Sequence, residues 1–124
     1  IITPKLGVIQ LDAEGVNSDP KQVAKYLNDP LNYLGKISAR LIVGMFNTML
    51  KVVSRASEIT IPLLLLHGAE DPMTSVDGSQ ILLDQCGSQD KKLIIYPGLR
   101  HEVFNESINM EIFVEVSSWL DKRG

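Results

Sequence analysis

The chain has 124 residues, enough for one domain of ordinary size. With 44% hydrophobic and 22% charged residues it has the means to build a core, which excludes intrinsic disorder. A formal charge of −3, from 12 basic and 15 acidic side chains, leaves no electrostatic footprint for nucleic acid. A single cysteine, Cys86, excludes an internal disulfide, and beside only two histidines it excludes a zinc site.

The first residues, Ile1-Ile2-Thr3-Pro4, have neither the basic start nor the long apolar stretch of a signal peptide. No run approaches the roughly 18 apolar residues of a membrane span. The start reads as a cut inside a longer protein. Charge divides the chain near Ile59: residues 1–58 carry seven Lys/Arg against five Asp/Glu, and residues 59–124 five against ten. Two structural layers are expected to meet there.

The first layer reads as helical. Asn17-Ser18-Asp19-Pro20 combines a capping side chain with proline in the first turn, a helix start. Val23, Tyr26 and Leu27 share a face before Asn28-Asp29-Pro30 ends the segment. A longer helix is predicted from about Gly35 to Ser57. Ile37, Leu41, Met45, Thr48 and Val52 recur along it every three or four residues, and Ile42, Val43, Phe46, Met49, Leu50 and Val53 broaden the stripe. That circumference exceeds what one core contact requires, so a second apolar surface is expected against it.

The second layer alternates. Ile61 to His67 is a continuous apolar run, as in a strand buried on both faces. Ser75 caps a helix predicted to reach Cys86, with Ile81, Leu82 and Cys86 inward and Gly87 as the stop. Lys92 to Tyr96 is a second strand, closed by Pro97-Gly98. Ile108, Ile112, Phe113, Val116, Trp119 and Leu120 then mark a C-terminal amphipathic helix. Strand–helix–strand–helix implies an α/β fold with parallel pairing. Two strands do not make a stable open sheet, so further strands are expected upstream of Ile1.

In such sheets, functional side chains gather beyond the carboxyl ends of the strands. Two loops leave those ends, His67–Thr74 and Pro97–Glu102. If the strands are neighbours, a carboxylate from the first loop reaches an imidazole from the second, and Asp71 and His101 suit that pairing. Plainer readings stand beside it. An Asp before Pro commonly forms a turn by bonding nearby amides, and a loop His is often only exposed. His67 reads as a polar strand-terminal residue, Glu70 is the rival acid, and Glu102 and Glu106 read as solvated. No nucleophile accompanies the pair: Gly-x-Ser-x-Gly is absent, Ser75, Ser79 and Ser88 lack that strained turn, and Cys86 falls on a buried face. Nor is there a glycine-rich phosphate loop.

Ile61-Pro-Leu-Leu-Leu-Leu-His-Gly-Ala-Glu-Asp-Pro-Met-Thr, followed by Asp90-Lys-Lys-Leu-Ile-Ile-Tyr-Pro-Gly-Leu-Arg-His101-Glu, resembles the C-terminal half of an α/β-hydrolase. More narrowly it is similar to the monoacylglycerol lipase and lysophospholipase group of serine hydrolases. Ser18-Asp19-Pro20, Tyr26 and Asn28-Asp29-Pro30-Leu31 resemble the start of that group's cap, so the likeness covers nearly the whole chain. The resemblance implies cap helices over 1–58 and a core segment over 59–124. It implies Asp71 as the acid and His101 as the base of a serine ester hydrolase acting on lipid-like esters, with no cofactor or metal. The nucleophile elbow and oxyanion-hole amides would lie before the cap, in the remaining N-terminal half of the same enzyme. The piece alone is therefore expected to be inactive.

Leu41, Met45 and Met49 are the candidates for an acyl-binding face, with core packing as the alternative for that face. The cap is also a candidate for peripheral contact with a membrane, in a cytoplasmic or membrane-surface setting. The rival from another class is a catalytically inactive hydrolase-like module that binds a ligand or partner.

Overall fold

The computed structural model describes residues 3–123, so Ile1 and Ile2 of the expected first segment lie outside it. Gly7–Ile9 (β1) pairs antiparallel with Ile37–Ser38 (β2), a short ribbon that the sequence patterning does not announce. Between them Ala13–Val16 forms one 3₁₀ turn, and Pro20–Asn28 forms helix α1. Asp19 is the cap of α1: its carboxylate accepts from the Lys21 amide at 2.9 Å, and Pro20 fills the first turn, where a missing N–H removes nothing.

Helix α2 spans Ala39–Ser54 rather than Gly35–Ser57. The Ser38 hydroxyl accepts from the Leu41 amide at 3.3 Å, which caps the helix there. Upstream, the Ala39 amide donates to the Leu6 carbonyl and Ile37–Ser38 pair with β1, so those backbone groups are already in use. Apolar periodicity extended into a strand because two residues are too few to show a period.

The second half follows the predicted order. Leu63–Gly68 (β3), Val76–Gln85 (α3), Lys91–Tyr96 (β4) and Asn109–Asp121 (α4) form a β-α-β-α run. β3 and β4 are parallel, in register from Leu63 opposite Lys91 to Gly68 opposite Tyr96. Ile61 lies outside the strand and is exposed, and Leu63–Leu66 are half-buried rather than buried on both faces. Among the described residues β3 has β4 as its single strand neighbour, so its other edge contributes no cover. Ile81 is likewise exposed instead of inward.

The core is compact and one-sided. Tyr96, Leu99, Val103 and the fully buried Ile112 cluster together, with Leu66, Ile94, Ile108 and Val116 packed against them. α4 is fastened to β4 by polar contacts at its flanks. Tyr96 Oη donates to Glu115 at 3.0 Å, Lys92 pairs with Glu115 at 3.0 Å, and Arg123 binds both oxygens of Asp90 while lying 3.9 Å over the Trp119 ring. Phe113 faces away from this core and stacks on Phe104 at 5.3 Å between centroids.

Gly87 does not end α3 by adopting a left-handed conformation; the Cys86 cap is extended, and Gly98 alone among the described residues has positive φ. Glycine is required at 87 for a different reason: a Cβ there would overlap the Ser57 carbonyl oxygen, where the two halves of the chain touch. The Gly87 amide donates to Ala56 across the same contact. By contrast, α2 leaves a wide apolar surface open. Leu41, Val43, Met45, Phe46, Met49 and Leu50 are each more than half exposed. No helix among the described residues is long and apolar enough to cross a membrane.

Candidate active site

The parallel register of β3 and β4 sets both of their C-terminal loops at one edge. Gly68 ends β3, and a Cβ there would overlap the carbonyl oxygens of Leu99 and Arg100. Glycine at this position therefore lets the 97–102 loop lie directly on the strand end, with the Glu70 amide donating to the Leu99 carbonyl at 2.9 Å.

Across this close approach His101 Nδ1 lies 2.8 Å from Asp71 Oδ2. The structure thus brings together Asp71 and His101, thirty residues apart in the chain. The turn-forming reading of Asp71 holds as well, and the two oxygens divide the work. Oδ1 accepts from the amides of Met73 at 2.7 Å and Thr74 at 3.1 Å, while Oδ2 takes the Thr74 hydroxyl at 2.6 Å and His101. The Asp71 side chain is 3% exposed and that of His101 41%.

Burial on its own pushes the Asp71 carboxyl up. The hydrogen bonds from the Thr74 hydroxyl, His101 and the Met73 and Thr74 amides outweigh it and hold the group at about 2. Asp71 is consequently a carboxylate at neutral pH and can only accept, so His101 carries its proton on Nδ1. In the neutral form of the ring, Nε2, with no hydrogen-bond partner among the described residues, then keeps the lone pair.

The depressed carboxyl also carries a stability consequence. Its contribution is complete above the unfolded-state value near 4 and disappears as pH falls through about 2. A shift of this size corresponds to on the order of 2 kcal/mol. Urea unfolding of the complete protein at pH 5 and at pH 2.5 should show an acid loss that Asp71→Asn reduces. An identical loss in both proteins would remove Asp71 from the acid limb.

His67 is buried at 8% exposure, with both ring nitrogens engaged. Nε2 faces the Thr74 carbonyl at 3.1 Å and Asp71 Oδ2 at 3.4 Å, so it holds the proton; Nδ1 accepts from the Ser79 hydroxyl at 2.7 Å. A ring with no open nitrogen cannot take a proton from substrate, and His67 instead props the Asp71 loop. Glu70 is exposed and takes no part in the pair.

Glu106 corrects the expectation that it is solvated. It is 1% exposed and accepts from three donors, because the turn after His101 folds its side chain under the loop. The sequence reading also missed the 13–18 segment as part of the site. A Cβ on Gly15 would come 2.8 Å from Pro72, and the Glu102 amide donates to the Val16 carbonyl at 2.8 Å. That turn therefore wedges between the two loops. Its only sequence signal is Asp12, whose side chain accepts from the Glu14 amide to start the turn.

Leu41, Met45 and Met49 lie along one face of α2, four residues apart and exposed at 54%, 51% and 54%. They do not contribute to the core cluster around Ile112. Among the described residues no group of three or more His, Cys, Asp or Glu is arranged to hold a metal. Cys86 is buried, with its thiol donating to the Leu83 carbonyl.

The chain is similar to known proteins in its family pattern, in its sequence and in its structure. Residues 2–108 match the family described as serine aminopeptidase, S33. A monoacylglycerol lipase of Mycolicibacterium smegmatis is 40% identical over 122 residues, covering 96% of this chain and 42% of that protein. The crystal structure of the Paleococcus ferrophilus monoacylglycerol lipase superposes with a TM-score of 0.89 at 30% identity, covering 99% of this chain and 48% of that one. A soluble variant of the Saccharomyces cerevisiae monoglyceride lipase, solved with a substrate analogue, superposes with a TM-score of 0.80 at 28% identity, covering 94% and 44%. The chain spans less than half the length of each of these relatives. With its β-α-β-α run and parallel strands, it is part of an α/β-hydrolase fold and belongs to the serine aminopeptidase S33 family of hydrolases.

Proposed function

We propose that these residues supply the acid and the base of a serine ester hydrolase acting on monoacylglycerol-type lipid esters. The observation that carries the reading is the Asp71–His101 hydrogen bond through Nδ1, with the His101 side chain 41% exposed and Nε2 without a hydrogen-bond partner among the described residues. The likeness to monoacylglycerol lipases supports the substrate class.

In this reading a serine outside these 124 residues attacks the ester carbonyl while His101 Nε2 removes its hydroxyl proton. The tetrahedral intermediate collapses, and the imidazolium passes the proton to the departing glycerol oxygen. Water then repeats the cycle on the acyl-enzyme, releasing the fatty acid and restoring the serine. Asp71 keeps Nδ1 protonated throughout and stabilises the imidazolium. Residues 1–58 act as a cap over the 59–124 core segment. Leu41, Met45 and Met49, half exposed on one face of α2, supply an apolar contact for the acyl chain and for a lipid surface.

The test is a substrate panel on the complete protein: a monoacylglycerol, a lysophospholipid and an aminoacyl anilide, with stoichiometric labelling by a fluorophosphonate. Release of fatty acid from the monoacylglycerol together with labelling is the expected result, and the 124 residues alone should give neither. Cleavage of the anilide in preference to the esters would move the activity to peptides. A complete protein that binds lipid yet neither cleaves nor labels would be a binding module instead.

A further inference from the structure

Glu106 stands outside the Asp71–His101 pair, and a carboxylate so fully buried is unfavourable unless it is well hydrogen-bonded. Its donors are specific. Oε1 accepts from the backbone amides of Ser18 and Arg100, both at 2.9 Å, and Oε2 accepts from the Ser18 hydroxyl at 2.5 Å. Arg100 immediately precedes His101. Its guanidinium in turn donates to the carbonyls of Glu14 and Asn17, and on the other side of His101 the Glu102 amide donates to Val16. The residues flanking His101 are thus both tied to the 14–18 segment. Among the described residues the imidazole itself has one hydrogen bond, to Asp71. The same segment presses on Pro72 and Met73 beside Asp71, and it leads straight into α1.

We propose that Glu106 is a positioning residue for His101: its carboxylate clamps the backbone before the imidazole to Ser18, so that the base is aligned on Asp71 only while the start of α1 is docked. The inference rests on the reading of His101 as the base. What the clamp needs is reach and acceptor geometry rather than charge. A glutamine can supply both, since its amide oxygen can take the two N–H groups and its amide N–H can donate to the Ser18 hydroxyl. A side chain one methylene shorter cannot span Ser18 and Arg100 together.

The experiment compares Glu106→Gln with Glu106→Asp in the complete protein, following kcat, KM, thermal melting and the downfield proton resonance of His101 Nδ1–H. Glu106→Gln should keep kcat within about threefold, while Glu106→Asp should lose about 30- to 100-fold in kcat with KM held within about threefold. The resonance should persist in Glu106→Gln and be lost to solvent exchange in Glu106→Asp. A merely structural role would lower the melting temperature without this ordering. If Glu106→Asp does not fold, Glu106→Gln decides: retention of the resonance supports the clamp and its loss overturns it. Equal kcat and an intact resonance in Glu106→Asp would also overturn it. The resonance is read without substrate. If it follows the predicted order in a protein that cleaves no ester, the hydrolase reading fails and the clamp stands.

Discussion

His101→Ala in the complete protein should lower kcat for ester hydrolysis by about 10⁵-fold, with little change in KM or fold, because it removes the group that carries the proton at every stage. The reason to expect an intact fold lies in the surroundings of the ring. The His101 side chain is 41% exposed and makes one hydrogen bond among the described residues, so truncation opens no buried cavity. Asp71 keeps its bonds from the Met73 and Thr74 amides and the Thr74 hydroxyl, so its loop stays closed. Unfolding free energy should change by less than about 1 kcal/mol. Titration of kcat against substrate, together with a melting curve, separates the two effects. Activity within tenfold of the parent would mean that another residue is the base, and His67 could not replace it because both its nitrogens are occupied.

The parts of this arrangement that could be read from sequence are those set by local patterning. β3, α3, β4 and α4 were legible because a continuous apolar run, a capping serine, a Pro-Gly stop and a helical stripe each act over a few neighbouring residues. Parallel pairing allowed the juxtaposition of Asp71 and His101 without choosing Asp71 over Glu70; the resemblance to the monoacylglycerol lipase group made that choice. What stayed hidden depends on contacts distant in the chain. Glu106 looks like any exposed acidic residue until Ser18, 88 positions away, is brought against it. β2 is two residues long and exists because β1 pairs with it, so no periodicity could reveal it. Gly87 reads as a helix stop and Gly68 only as the end of an apolar run, whereas their requirement comes from carbonyl oxygens of distant segments lying where a Cβ would be. The apolar breadth of α2 was visible, and that breadth remains largely uncovered in a chain spanning under half the length of its relatives.

Asp71→Asn should be nearly as damaging as removal of the base, although it changes one atom. The Met73 and Thr74 amides both donate to Oδ1, so this position must remain an oxygen in the amide side chain. The amide nitrogen is then forced into the place of Oδ2, where it presents hydrogens to the Thr74 hydroxyl and to His101 Nδ1. The Thr74 hydroxyl can rotate and accept. His101 can accommodate the amide only by giving up its Nδ1 proton and carrying it on Nε2, the nitrogen required to take a proton from the nucleophile. The imidazolium also loses its carboxylate partner. Together these effects should lower kcat by about 10⁴-fold near neutral pH, with KM almost unchanged. Because the defect is a wrong tautomer rather than a missing base, rising pH should restore part of the rate as hydroxide assists proton removal, and His101→Ala should show no comparable recovery above its residual rate. Nitrogen NMR of the imidazole offers a direct check: Nδ1 protonated in the parent, Nε2 protonated in Asp71→Asn. If Nδ1 remained protonated and kcat fell by less than tenfold, Asp71 would be only the turn former that its place before Pro72 also suggests.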